Sequence, residues 1–225
     1  GKQLLFMGCE FGQEAEWSEG RSLDWWLLDQ PLHFRVHNLV KDLNRLYRDH
    51  EALWALDNDR AGFEWLEADD AAHNTVSWLR FGRGDRGTDA PVVACVMNFG
   101  GETQQTYRIG VPRGGRWTVV LDTAGYHPDA PSSTGVVLTA RQESWHHQPY
   151  CLDITVPRFS SVWVVPVDEA VDDSVAEAVD ESATAAIRTV TNAAVPPPVG
   201  HLSNSSSDAA GSADAGAANP KGAQS

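Results

Sequence analysis

Eight short runs rich in β-branched and aromatic residues follow one another between residues 57 and 167, and they constrain the fold more than any other feature. Turn-prone stretches such as residues 82–87 and 128–133 separate them. In the run LDITV at 152–156, apolar and polar side chains alternate, which is the period of a strand with one buried face. Several short strands at near-regular spacing are typical of an antiparallel β-sandwich. The predicted strands are residues 63–66, 75–81, 92–98, 106–111, 117–122, 135–139, 152–156 and 161–165.

A different pattern precedes these strands. Leu4 to Met7 form an apolar run closed by Gly8, which suits a short strand buried on both faces, as in a parallel sheet. Residues 31–49 place apolar side chains three and four positions apart, and Pro31 suits a first helical turn, so they predict an amphipathic helix. A strand, a loop and a helix make one β/α unit. In α/β barrels, the loops after the strand C-termini carry the chemistry.

The loop between this strand and helix is dense in carboxylates, amides and indoles. Carboxylates and amides exchange hydrogen bonds with hydroxyl groups, and indole faces cover the C–H faces of pyranose rings. The loop therefore indicates a sugar site. The alternative interpretation is that Trp25 and Trp26 are core residues beneath an ordinary loop.

Composition narrows the class of partner. The net charge of −14 argues against nucleic acid and anionic membranes, because phosphates need Lys and Arg, and it is compatible with a neutral polysaccharide. Three cysteines without CxxC spacing favour a reducing cytoplasm over a disulfide framework or a zinc site. No apolar run approaches the ~20 residues of a membrane span, and no secretory signal is recognised. We expect no cofactor and no metal, since nothing nearby completes a site around His33 and His37.

Nine tryptophans are the composition feature most suggestive of sugar binding. In the β region, Trp78 and Trp145 are candidates for a surface glucan platform through ring stacking, or for the sandwich core, which we favour for Trp78. The clusters around His73 and His146 are expected to be solvated turns. We therefore expect no catalytic site in this region.

Six segments carry a more specific pattern: GCEFGQ at 8–13, EW at 16–17, SLDW at 22–25, KDLN at 41–44, GFEWL at 62–66 and PRFSS at 157–161. Together they resemble the last barrel strand, its loop and the C-terminal domain of bacterial 1,4-α-glucan (glycogen) branching enzymes of the α-amylase superfamily. GxEFGQ alone occurs across several amylase-like enzymes, whereas its combination with SLDW and GFEWL points to branching enzymes. The resemblance covers roughly residues 1–167, with Cys9 where the family more often has Gly or Asn.

The resemblance implies a division of the chain. Residues 1–56 would be the last β/α unit of a TIM-type barrel, and residues 57–167 the C-terminal β-sandwich of the superfamily. Residues 168–225, acidic and rich in Ala and Ser, lie outside the resemblance and are expected to be disordered. A lone barrel strand leaves both edges unpaired, so residues 1–28 are expected to be poorly held in isolation. We interpret the chain as the C-terminal piece of a longer enzyme.

The resemblance also implies a reaction. The family cleaves an α-1,4-glucan and transfers the released end to a 6-hydroxyl, with retention at the anomeric carbon, to form the α-1,6 branches of glycogen. Its catalytic carboxylates come from barrel strands four, five and seven, which would precede Gly1, so no catalytic residue is assigned here and the chain alone is expected to be inactive. The implied partners are an α-glucan and the upstream catalytic barrel. Their position after the last strand makes Trp17, Glu10, Asp24 and Gln13 the candidate substrate-binding residues.

Two alternatives stay open. One is a related hydrolase of the same superfamily, against which the SLDW and GFEWL segments argue. The other is a non-catalytic glucan-binding or structural β module that carries a remnant of a barrel.

Overall fold

The computed structural model of the protein describes residues 2–167. Within this range, one α-helix and eight β-strands are joined by loops that include short 3-10 turns at Cys9–Phe11, Trp25–Asp29, Glu51–Leu53, Arg60–Gly62 and Thr123–Tyr126. The helix α1 covers Pro31–Asp49, as predicted, with proline in its first turn. The strands are β1 Phe63–Asp70, β2 Thr75–Phe81, β3 Val92–Asn98, β4 Gln104–Val111, β5 Gly115–Asp122, β6 Val137–Ala140, β7 Tyr150–Val156 and β8 Ser160–Pro166.

The strands form two antiparallel sheets. The larger has six strands in the order β1-β2-β3-β8-β5-β6, and the smaller pairs β4 with β7. Side chains from both sheets meet in one core, which contains the fully buried Val96, Ile109, Trp117 and Leu152. The sandwich-like all-β architecture and all eight predicted strands are confirmed, with strand ends that differ by a few residues.

The outer face of the larger sheet is covered by the segment that follows α1. Ala52 and Leu53 pack on Val93 and Cys95 of β3 and on Val165 of β8. The partly buried side chains around this cluster are Tyr47, Trp78, Val120 and Trp163. Trp78 therefore lies partly buried on the outer face of the larger sheet, and its assignment to the sandwich core is wrong. This contact holds the end of α1 against the sandwich.

Residues 4–7 do not form the strand that their sequence predicts. They lie outside every strand of the described residues, and Leu4 is 85% exposed. An apolar run becomes a buried strand only where neighbouring strands supply hydrogen bonds and cover, and the eight strands of this chain pair with one another. The strand prediction is wrong for this structure, and the assignment of residues 1–56 to a barrel unit stays a proposal.

Two features are absent from the described residues. Between residues 2 and 167, no helix is both long and apolar enough to cross a lipid bilayer. In the same part of the chain, no group of three or more His, Cys, Asp or Glu side chains is placed to hold a metal ion. The predicted disorder of residues 168–225 lies outside the described residues.

A buried carboxylate joins the helix, the larger sheet and the N-terminal segment. The Asp57 side chain is 1% exposed and pairs with Arg80 of β2 at 2.5 Å and with Lys2 at 2.9 Å. The Tyr47 hydroxyl of α1 donates to the same carboxylate at 3.3 Å, and Arg80 also donates to the Leu53 carbonyl. Burial raises the pKa of Asp57, but the hydrogen bonds from Lys2 and Arg80 outweigh this and leave the pKa below its ordinary value.

We predict that Asp57→Asn lowers the free energy of unfolding by about 3 kcal/mol at pH 7, because it leaves Arg80 without its counter-charge. Since the folded pKa of Asp57 is depressed, its contribution is complete above the ordinary value of 3.8 and is lost as the pH falls through the lower folded value. Urea unfolding of wild type and variant across this range should show the difference shrinking in acid. Asp49→Asn is the control, because its exposed pair with Arg45 contributes little. A difference that is constant with pH would contradict the prediction.

Gly110 of β4 lies directly beneath another part of the backbone. A Cβ at this position would lie 2.0 Å from the carbonyl oxygen of Trp145, so only glycine allows the approach. We predict that Gly110→Ala lowers the free energy of unfolding by about 3 kcal/mol or more. Gly101→Ala is the matched control, because its Cβ would meet the Phe159 ring at an ordinary 3.6 Å. Thermal unfolding measures the difference. Equal midpoint temperatures for Gly110→Ala and Gly101→Ala would show this prediction to be wrong.

Candidate functional site: the N-terminal loop

Residues 8–30, called the N-terminal loop below, are anchored on the first half of α1. Phe11 is fully buried, and its carbonyl oxygen lies 3.0 Å from Nδ1 of His33 in α1. The Phe11 ring contacts that of Trp25 with 5.1 Å between centroids, and Leu27 is buried. The helix therefore positions the loop that carries the candidate substrate-binding residues.

The Gln13 side chain forms hydrogen bonds to two parts of the N-terminal loop. Its Oε1 accepts a hydrogen bond from the backbone N–H of Asp24 at 2.9 Å, and its Nε2 donates to the Ala15 carbonyl at 2.9 Å. The backbone N–H of Gln13 also donates to the Gly8 carbonyl. Gly8 has φ +93°, and a Cβ there would lie 2.7 Å from Cβ of Gln13. Gln13 and Asp24 are thus brought together, with Gln13 bonded inside the loop.

Arg21 closes the tip of the loop. Its Nη1 lies 2.6 Å from Oδ1 of Asp24, and its Nη2 donates to the Glu16 carbonyl at 3.0 Å. Its backbone N–H donates to the Ser18 carbonyl at 3.3 Å. The sequence analysis missed this residue, although a basic side chain three positions before Asp24 was a signal for such a pair.

Trp17 and Glu10 are the two candidates that stay accessible. Trp17 is 37% exposed, and its ring meets the Phe6 ring edge-on at 5.5 Å. Glu10 lies in the 3-10 turn Cys9–Phe11 and is partly exposed. Within residues 2–167, its carboxylate has no hydrogen bond or ion pair, in contrast to that of Asp24. Both side chains are therefore available to a ligand.

Large apolar side chains lie uncovered around the loop and α1. Trp25 and Trp26 are 51% and 59% exposed, which excludes the alternative that they are core residues of this chain. The other exposed members of this surface are Leu4, Leu5, Phe6, Met7, Leu32, Phe34 and Val36. A groove of about 680 Å³ opens between residues 2–5 and α1. Apolar exposure on this scale is typical of a contact surface or a ligand-binding groove.

The acidic and histidine cluster of the sandwich has a structural role. The Tyr107 hydroxyl of β4 donates to Asp70 at 3.0 Å, and Nδ1 of His73 lies 2.8 Å from the same carboxylate. Burial and the Asp70 carboxylate raise the pKa of Tyr107 above its ordinary value. Burial raises the pKa of Asp70, but the hydrogen bonds from His73 and Tyr107 bring it below the ordinary value. These groups satisfy one another and link the β1–β2 turn to the smaller sheet.

We predict that Gln13→Ala speeds amide exchange at Asp24 by about fivefold, because the variant removes the acceptor of its N–H, and a net hydrogen bond is worth about 1 kcal/mol. Exchange followed by NMR measures the change. Gln13→Glu is the matched control, because it keeps an acceptor oxygen and loses only the bond to Ala15. Equal protection of Asp24 in wild type and Gln13→Ala would contradict the prediction.

Comparisons with known proteins fit this architecture. Residues 65–167 match the family described as alpha amylase, C-terminal all-beta domain. The chain is 44% identical over 169 residues to the 1,4-alpha-glucan branching enzyme GlgB of Mycobacterium bovis (strain BCG / Pasteur 1173P2), which is 74% of this chain and 22% of the relative. The branching enzymes GlgB of Rhodococcus jostii and Nocardia farcinica are also 44% identical, over 73% of this chain and 22% of their own length. The chain thus spans about a fifth of the length of these curated relatives. The matches confirm the resemblance drawn from the motifs: residues 65–167 carry the alpha amylase C-terminal all-beta domain, and about three quarters of the chain fits a C-terminal part of bacterial 1,4-alpha-glucan branching enzymes.

Proposed function

We propose that this chain is the C-terminal part of a cytoplasmic 1,4-α-glucan branching enzyme of glycogen biosynthesis. The observation that carries the proposal is the 44% identity to GlgB enzymes over 169 residues. This match is longer than residues 65–167, so the similarity is not confined to the all-β domain. If the chain were an isolated structural or glucan-binding β module, similarity to branching enzymes outside the all-β domain would not be expected.

Residues 1–56 supply the last β/α unit of the catalytic barrel in this proposal. The helix α1 forms as the barrel pattern predicts, whereas residues 4–7 lie without a strand partner. The exposed apolar surface around α1 is what a missing barrel neighbour would cover, with Leu32 at 69% and Phe34 at 43% exposure. The partner of this surface is the preceding part of the same enzyme.

The transfer reaction needs two carboxyl groups, one as nucleophile and one as acid and base, on opposite sides of the scissile bond. The carboxylates of the N-terminal loop suit other roles. Asp24 is paired with Arg21, and Oε1 of Glu14 lies 3.6 Å from Nε2 of His33. We assign the catalytic carboxylates to the rest of the barrel, as the resemblance to branching enzymes implies.

The N-terminal loop forms one wall of the substrate cleft. Trp17 offers an indole face to a glucose ring. The Glu10 carboxylate, which has no partner within residues 2–167, accepts hydrogen bonds from hydroxyl groups. Gln13 and Asp24 belong to the same site and give the loop its shape through the bond between them.

We predict that the complete enzyme containing this sequence forms α-1,6 branches on amylose, measured as chains released by a debranching enzyme. Trp17→Ala should lower kcat/KM by about tenfold, which corresponds to about 1.4 kcal/mol of lost aromatic contact. Trp54→Ala is the matched control, because Trp54 is 38% exposed, as Trp17 is at 37%, but lies after α1 and outside the loop. Equal kcat/KM for the two variants would remove Trp17 from the site.

The same assay separates the alternatives. Release of short linear oligosaccharides without new branches would identify a hydrolase. The 225-residue chain by itself should form no branches, because the catalytic carboxylates lie elsewhere in the enzyme. Branching by the purified chain would overturn that assignment.

A further inference from the structure

The turn at residues 145–148 holds its backbone in a costly conformation on the outside of the smaller sheet. Trp145 and Gln148 exchange both backbone hydrogen bonds, at 3.1 and 2.9 Å, and so close a two-residue turn. The two central residues, His146 and His147, have φ +49° and +61°. Such a turn favours Asn-Gly, because side chains with a Cβ disfavour the left-handed region.

Surrounding contacts hold this turn in place. The carbonyl of Trp145 sits over Gly110 of β4, where no Cβ would fit, and the Gly110 N–H donates to Nδ1 of His146 at 3.4 Å. Nε2 of Gln148 donates to Oε1 of Glu64 at 2.6 Å. Backbone strain that is held by its surroundings is concentrated at functional sites, ligand clamps among them.

Contacts with Arg108 fix the orientation of the Trp145 indole and leave part of it exposed to solvent. Its Nε1 donates to the Arg108 carbonyl at 3.1 Å, and the Arg108 guanidinium lies over the ring, 5.4 Å from its centroid. The residue nevertheless remains 40% exposed, whereas Trp117 in the sandwich core is fully buried. A rigid ring with accessible surface is suited to stacking on the C–H face of a sugar.

The ion-pair network that Arg108 joins carries no net charge. Arg108 pairs with Asp153 at 2.9 Å and with Glu143 at 3.0 Å, while Arg141 pairs with Asp153 at 2.9 Å and with Glu143 at 3.5 Å. Two guanidinium groups and two carboxylates balance, and all four side chains are partly exposed. A phosphate therefore gains no net attraction here, whereas hydroxyl groups find both donors and acceptors.

We propose that Trp145, with Arg108, Arg141 and Glu143, forms a surface site for a neutral chain of α-1,4-linked glucose. The site rests on the proposed function, which supplies the class of ligand, and it would bind a glucan chain on the sandwich. Stacking on Trp145 provides the contact area, and the charge-balanced side chains bind the hydroxyl groups.

Titration of the 15N-labelled 225-residue chain with maltoheptaose tests the site. The Nε1–H resonance of Trp145, identified by its loss in Trp145→Phe, should shift and saturate, while that of the buried Trp117 stays in place. Trp145→Ala should weaken binding by about three- to tenfold. Inorganic phosphate should leave the Trp145 resonance unchanged. Absence of a shift with maltoheptaose, or an equal shift with phosphate, would overturn the proposal.

A second variant keeps the test decisive if Trp145→Ala does not fold. Glu143→Gln retains the ring and its bond to Arg108 but leaves one positive charge in excess. It should weaken maltoheptaose binding and make the Trp145 resonance respond to phosphate; a variant with wild-type behaviour would count against the site. The branching assay of the complete enzyme is independent of this titration. Branching without a Trp145 response rejects the site alone, and a Trp145 response without branching rejects the proposed function.

Discussion

The carboxylate of Asp57 is the interaction on which the arrangement of helix and sheet depends. A buried charge is tolerated only where opposite charges and hydrogen bonds replace water, and Arg80 supplies both at 2.5 Å. The same guanidinium holds the carbonyls of Leu53 and Gly62, which lie at the two ends of the segment covering the larger sheet. Loss of Asp57 would therefore leave a buried guanidinium uncompensated and loosen the cover that joins α1 to the sandwich.

The sandwich core needs no such ion pair, because apolar side chains from both sheets fill it. Its buried polar side chains organise turns instead. Asn98, 2% exposed, donates to the carbonyls of Glu102 and Val156 at 2.8 and 3.2 Å and accepts from the Gly100 N–H at 2.8 Å. The Asn98 side chain thus joins the β3–β4 turn to the end of β7, and in this way it links the larger sheet to the smaller one.

Runs of β-branched and aromatic residues between turn-prone stretches were sufficient to predict the strands of the sandwich. In residues 152–156 of β7, period-two alternation also marked one face as more buried than the other. Leu4 to Met7 were predicted wrongly, because an apolar run forms a buried strand only where neighbouring strands pair with it, and none does so within residues 2–167. The candidate residues of the N-terminal loop were chosen by residue type. The sequence did not indicate which of them bond within the loop and which stay accessible. The partners of Gln13 and Arg21 depend on how the loop folds back on itself, which no periodic pattern records.

The sandwich is linked to the N-terminal loop through α1. The Tyr126 hydroxyl, which follows β5, donates to Asp42 in the middle of the helix at 2.5 Å, and burial together with this carboxylate raises the pKa of Tyr126 above its ordinary value. About two and a half turns earlier on the same helix, His33 meets the carbonyl of Phe11 in the loop. A helix transmits position along its axis with little bending, so the sandwich face that fixes Asp42 also fixes Phe11 and the loop attached to it. The all-β domain can in this way influence the position of the N-terminal loop through the helix between them.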